Sequence, residues 1–102
     1  MGDAPIHFKL NLKTGFFKSE PYIVTVTDEA ITFVRNRGKT RKSKNIIPCG
    51  DVKSIAIFGR TPVELEVRTE KEVFIGTLQE PVDVVVVSEV LQAVFGIRFL
   101  QV

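Results

Sequence analysis

The side chains best equipped for covalent chemistry are a single histidine, His7, and a single cysteine, Cys49. A thiol attacks as the thiolate, so Cys49 would need a base or a cation held against it, and the one imidazole lies far off in the chain. The segment around His7 reads as alternating strand, which sets no thiol or carboxylate beside the ring in a triad or metal-ligand pattern. His7 is therefore expected on a strand surface, and Cys49 as a structural thiol. Glu64 and Glu66 alternate with apolar residues and face water together, away from the desolvated cleft that a general acid needs. Gly59 and Gly76 are isolated and build no phosphate-cradling loop. No catalytic residue, metal ligand, cofactor or small-molecule substrate is expected, and the chain reads as non-enzymatic.

What remains is charge. The net charge is only +2, but residues 1–44 carry nine Lys and Arg against four Asp and Glu, whereas 45–102 carry five against eight. Most of the excess sits in Arg35, Arg37, Lys39, Arg41, Lys42 and Lys44, a run with no acidic residue. Such a run attracts anionic phosphate. Near an acidic bilayer each cation adds ~1 kcal/mol, so the six together reach at most about 6 kcal/mol, which is weak and salt-sensitive binding. The simpler reading, that a loop without apolar residues is solvated by its charge, ranks ahead of a specific phosphate site. Nucleic acid ranks lower again, because no aromatic residue lies between Arg35 and Asn45 to stack a base.

The elements that must position these groups follow from pattern. At 102 residues, 44% of them hydrophobic, the chain fits one globular domain over 1–102. Met1–Leu12 alternates charged and apolar residues and lacks the apolar run of a secretory signal. With one cysteine and no disulfide, a cytoplasmic location is expected. Tyr22–Thr27 is β-branched, Asp28-Glu29 suits a reversal, and Ala30–Arg35 follows with Ile31 and Phe33 on one face, which together predict an antiparallel hairpin. Ile46-Ile47-Pro48 belongs at a strand end or sheet edge, because Pro48 cannot donate to a ladder. Val52–Phe58 resumes as strand and ends at the turn Gly59-Arg60-Thr61-Pro62. Val63–Arg68 alternates three apolar with three charged residues, the period of a sheet with one wet face, and Glu72–Leu78 pairs back across Glu70-Lys71. Strands thus run over about 6–78.

Residues 81–95 are contested between the β propensity of Val84–Val87 and a helical spacing. Val84, Val87, Leu91 and Val94 recur at threes and fours, with Ser88, Glu89 and Gln92 opposite, so the spacing predicts a helix over 81–95, about 22 Å long. Pro81 suits its first position and Gly96 its C-terminal cap. Glu80 is a poor N-cap, which leaves open a helix delayed to Ser88 behind a further strand. The expected fold is β-rich α+β: a strongly bent antiparallel sheet or partly open barrel of five to seven strands, capped by one C-terminal helix.

This order resembles the pleckstrin-homology-like superfold, above all its GRAM and bacterial pleckstrin-homology branches. Tyr22–Phe33 looks like the family's hairpin, in which a strand ending in Thr-Asp leads into a second apolar strand. Ile47–Ile55 is similar to the next segment, where Ile-Pro is followed by an acidic residue and Val/Ile-x-Ser-Ile. The resemblance covers roughly residues 16–96. The tryptophan of the eukaryotic C-terminal helix is absent, with Phe95 the nearest aromatic, which favours the bacterial or GRAM-like branch. The family's phosphoinositide signature puts Lys and Arg between the first two strands. Lys39-Thr40-Arg41 has those residue types and fills that place if Tyr22–Thr27 is the first strand.

The helix carries more apolar surface than one seam on a small sheet covers, and Ile97–Val102 is too apolar for a free tail. That the helix simply plugs the open end of the barrel ranks first, but Phe99, Leu100 and Val102 still need covering, so Val85, Phe95, Phe99, Leu100 and Val102 are the residues expected to face a protein partner or a second copy. The leading expectation is an interaction module working through protein contacts or self-assembly. The second is attachment to an acidic membrane surface through loop 35–44.

Overall fold

The computed structural model describes residues 5–35 and 44–102. Its backbone is one sheet of eight strands: β1 (Ile6–Lys13), β2 (Ser19–Val26), β3 (Ala30–Arg35), β4 (Lys44–Pro48), β5 (Val52–Phe58), β6 (Glu64–Thr69), β7 (Val73–Leu78) and β8 (Phe99–Gln101). One helix, α1 (Val84–Phe95), lies between β7 and β8. The spatial order is β4-β3-β2-β1-β7-β6-β5-β8, an open sheet in which every pairing is antiparallel except that of β8 with β5.

Strand alternation builds the core. Phe8, Leu10 and Leu12 of β1 point inward with Tyr22, Val24 and Val26 of β2, Ile31 and Phe33 of β3, and Ile55, Ile57, Leu65 and Val67 from the other half of the sheet. Val87, Leu91 and Phe95 of α1 close the open side. β1 pairs with β7 over Leu10–Leu12. There Gly76 faces Leu12 in register, and a Cβ on it would stand 2.7 Å from the Leu10 side chain and 2.8 Å from the Asn11 carbonyl oxygen. Only glycine lets the two strands approach this closely.

The expected hairpins are present: β2 pairs with β3 across Asp28-Glu29, and β6 with β7 across Glu70-Lys71. Pro48 ends β4, an edge strand. Three expectations are corrected. The helix starts at Val84, because Asp83 caps it, its Oδ1 accepting from the N–H groups of Val85 at 3.1 Å and Val86 at 3.3 Å; Pro81 lies outside. Ser88 is on the buried face, since Val84, Ser88, Leu91 and Phe95 form a stripe of their own at spacings of four, three and four. An eighth strand follows the helix, formed by the apolar residues judged unfit for a free tail. Gly96, at φ 58°, stops the helix in a conformation that side chains disfavour and turns the chain into β8.

Candidate functional site

The residues singled out for chemistry are held apart. His7 is exposed on β1, its Nδ1 hydrogen-bonded at 2.9 Å to the hydroxyl of Thr25, its register partner on β2. Cys49 is half-buried in the turn between β4 and β5, its thiol donating to the Thr27 carbonyl at 3.6 Å. Burial lifts that thiol above its ordinary value, and the facing charge of Arg98, which works the other way, does not offset it. A thiol kept neutral is a poor nucleophile. Among the described residues no three His, Cys, Asp or Glu side chains gather as metal ligands would. A cleft of about 470 Å³ runs between Ile46–Pro48 and Thr69–Glu72, and its carboxylates Asp51, Glu70 and Glu72 are all exposed. Glu64 and Glu66 alternate with the buried Leu65 and Val67 but are only half-exposed, Glu66 meeting Arg68 at 2.7 Å.

The basic run falls largely outside the described residues: Arg37, Lys39, Arg41 and Lys42 lie there, and Lys44 opens β4. Arg35 is described, and its guanidinium is engaged by Glu20 at 2.6 Å rather than offered to a ligand. Because Ile6–Lys13 is the first strand, Tyr22–Thr27 belongs to the second, and Lys39-Thr40-Arg41 sits between β3 and β4. The proposed equivalence with the loop between the first two strands therefore fails.

The expected contact residues divide. Phe95 and Phe99 are corrected to core, 3% and 7% exposed, because both rings pack into the apolar cluster that the sheet and the helix enclose. Val85, Leu100 and Val102 are exposed, and Ile97, which the sequence did not single out, is 97% exposed. Ile97, Leu100 and Val102 mark the C-terminal edge. Val102 N–H donates to the Ile57 carbonyl at 2.9 Å and its own carbonyl accepts from Gly59 N–H at 3.0 Å. Gln101, one residue back along the strand, accordingly turns its N–H and C=O away from β5.

One apolar feature escaped the reading of the sequence. Phe16 and Phe17, at the tip between β1 and β2, are 95% and 94% exposed and touch chiefly each other, with ring centroids 5.1 Å apart. The signal was present: two adjacent phenylalanines beside Gly15 cannot both point into a core from one strand.

The structure of the Spt16D Pob3N heterodimer contains a chain that superimposes with a TM-score of 0.73 at 9% sequence identity, over 99% of this chain and 56% of that one. The fold is pleckstrin-homology-like. The chain thus spans little more than half the length of the solved chain it matches. No protein-family model and no curated protein matches the sequence. The pleckstrin-homology-like fold places the helix on the open side of the sheet and leaves both sheet edges, β4 and β8, without a neighbouring strand among the described residues. Among those residues no helix is long and apolar enough to cross a membrane.

Proposed function

We propose that the chain is a non-enzymatic interaction module that works through protein contacts, self-assembly included, and that its docking surface is the β8 edge. The observation that carries this reading is the contrast between the two edges. β4 ends on Pro48, a residue that stops strand addition. β8 has neither proline nor lysine, leaves the Gln101 N–H and C=O unpaired by β5, and exposes Leu100 beside Ile97 and Val102. An edge of that kind accepts an extended segment by strand addition, with main-chain hydrogen bonds for affinity and apolar side chains for selection. The solved neighbour of like architecture comes from a heterodimer, which supports protein contact as the use of such a scaffold. The scattered placement of His7 and Cys49 supports a role without catalysis. A helix ending on Phe95 without tryptophan supports the GRAM-like or bacterial branch, and the single cysteine a cytoplasmic setting.

Sedimentation equilibrium tests the self-assembly arm. A reversible dimer is expected, abolished in Ile97→Asp with Leu100→Asp while the circular dichroism spectrum stays native. A strictly monomeric mass at high concentration would sink self-assembly. Capture of no protein by the immobilised wild-type chain, beyond what the double variant captures, would sink the wider reading.

A further inference from the structure

Three turns meet at one end of the sheet. Two of them are built alike: the Thr27 hydroxyl accepts from the N–H groups of Glu29 and Ala30, each at 3.1 Å, and the Thr69 hydroxyl from those of Lys71 at 3.3 Å and Glu72 at 3.0 Å. Threonine suits both places because its hydroxyl satisfies N–H groups that a tight reversal strips of ladder partners, and the acidic side chains of the turn are left to water. The third turn, Cys49–Asp51, is joined to the first by the Cys49 N–H to Glu29 carbonyl bond, 2.9 Å, and to the second by the pairing of Val52 with Thr69. Five of the chain's twelve Asp and Glu fall in these turns, Asp28, Glu29, Asp51, Glu70 and Glu72, with one of its fourteen Lys and Arg, Lys71. All five carboxylates are exposed, and none belongs to an ion pair among the described residues. Arg98 comes to the same place, but its guanidinium is turned to the Cys49 and Val52 carbonyls.

The cleft of about 470 Å³ opens here, with Ile46, Ile47 and Pro48 along one side and Thr69–Glu72 along the other. We infer that it takes a cationic segment of a partner protein, one in which lysine or arginine flanks a bulky apolar residue. The apolar residue lies against the Ile46–Pro48 side, and its flanking cations meet Asp51, Glu70 and Glu72. Charge selects this occupant, because carboxylates at the rim repel phosphate and so turn away a lipid headgroup or a nucleic acid. A metal ion fits no better: among the described residues no three carboxylates gather as ligands would, so the negative charge is spread along the cleft and matches charges spread along a chain. The volume lies within the ~300–1,000 Å³ of ordinary ligand clefts. Pro48 has no N–H to give, so recognition at this place is by side chains rather than by strand addition. The surface is also separate from the β8 edge, since β8 accompanies β5 only from Ile55 onward, running away from Asp51. The two surfaces therefore stand or fall independently.

The test titrates the isotope-labelled full chain with the capped peptide Ser-Gly-Lys-Arg-Leu-Lys-Gly-Ser and follows the amide NMR spectrum. The amides of Asp51 and Thr69–Glu72 should move while those of β8 stay, with a dissociation constant on the order of 0.1–1 mM at low salt. Binding should weaken sharply at about 1 M salt, where the screening length falls to ~3 Å. Serine in place of the peptide's leucine should weaken it about tenfold, and Glu70→Gln with Glu72→Gln about threefold for each carboxylate. Both glutamates are exposed and the turn is held by Thr69 and main-chain groups, so this variant folds, and an unchanged melting temperature verifies it. No movement of these amides at millimolar peptide overturns the inference. So does equal binding by the double-glutamine variant, or by a peptide with glutamate at its cationic positions. Self-association of the Ile97→Asp, Leu100→Asp chain that is lost on adding Glu70→Gln and Glu72→Gln would also overturn it and give the cleft to a second copy.

Discussion

Arg98 reaches back across 46 residues of chain to set its Nη1 2.8 Å from the Val52 carbonyl oxygen, and the same nitrogen donates to the Cys49 carbonyl at 2.9 Å. Its guanidinium also lies over the Phe95 ring, 5.2 Å from the centroid. One side chain thus ties the exit of the helix to the turn between β4 and β5, two places that share no ladder. Local sequence contains no sign of the bond, since both acceptors are backbone.

Arg98→Ala should therefore destabilise the fold by about 2 kcal/mol, because it removes two charge-assisted bonds to carbonyls and one stacking contact. Arg98→Lys should recover only part of this, since an ammonium does not stack on Phe95 as a planar guanidinium does. Urea unfolding of the three proteins measures the difference, and a wild-type midpoint in the alanine variant would contradict the account.

Where β1 pairs with β7, Gly76→Ala should lower stability by about 1–3 kcal/mol. The new methyl group would meet the Leu10 side chain and, more seriously, the Asn11 carbonyl oxygen, which is main chain and can move only with its strand. Gly50→Ala is the matched control, because nothing lies within 4 Å of the place its new methyl group would take. Thermal melts of the pair should separate clearly.

Ser88 is buried on the inner face of α1, with no partner for its hydroxyl among the described residues. Ser88→Ala should raise stability by about 0.5–1 kcal/mol, through relief of an unsatisfied polar group and a better helix former at one position. A loss of stability instead would mean that the hydroxyl is bonded after all, and denaturant titration decides the sign.

The Cys49 thiol is raised in the folded chain, chiefly by burial. Its unfolded counterpart then ionises first, so the unfolded state holds fewer protons and stability falls as pH rises through the ordinary thiol range; below that range the group has no effect. Cys49→Ser should flatten this alkaline decline. In the wild type, modification by a disulfide reagent near neutral pH should run slower than in the urea-unfolded chain.

How much of this was legible beforehand depends on whether a feature is local. The hairpin of β2 and β3 and the β6–β7 pair were readable because alternation and turn residues lie in one short window. The helix was readable from spacing, but its start was not: Pro81 drew the boundary outward, while Asp83, two residues later, is the side chain that satisfies the free N–H groups. Phe95 and Phe99 looked surplus because the apolar cluster that takes them is drawn from strands remote in sequence. β8 is three residues long and depends on β5, more than forty positions upstream, so no window could contain it. The place of the basic run depended on which strand comes first, and Ile6–Lys13 precedes Tyr22–Thr27 in the sheet.

The unequal sheet margins set a limit on assembly. On the proposed reading, edge-to-edge joining of two β8 strands would occupy the same margin in both copies, while Pro48, which has no N–H to give, stands at the end of the other margin, β4. Association of that geometry would close as a pair related by a twofold axis, with the proline on the opposite flank working against a continuing ribbon.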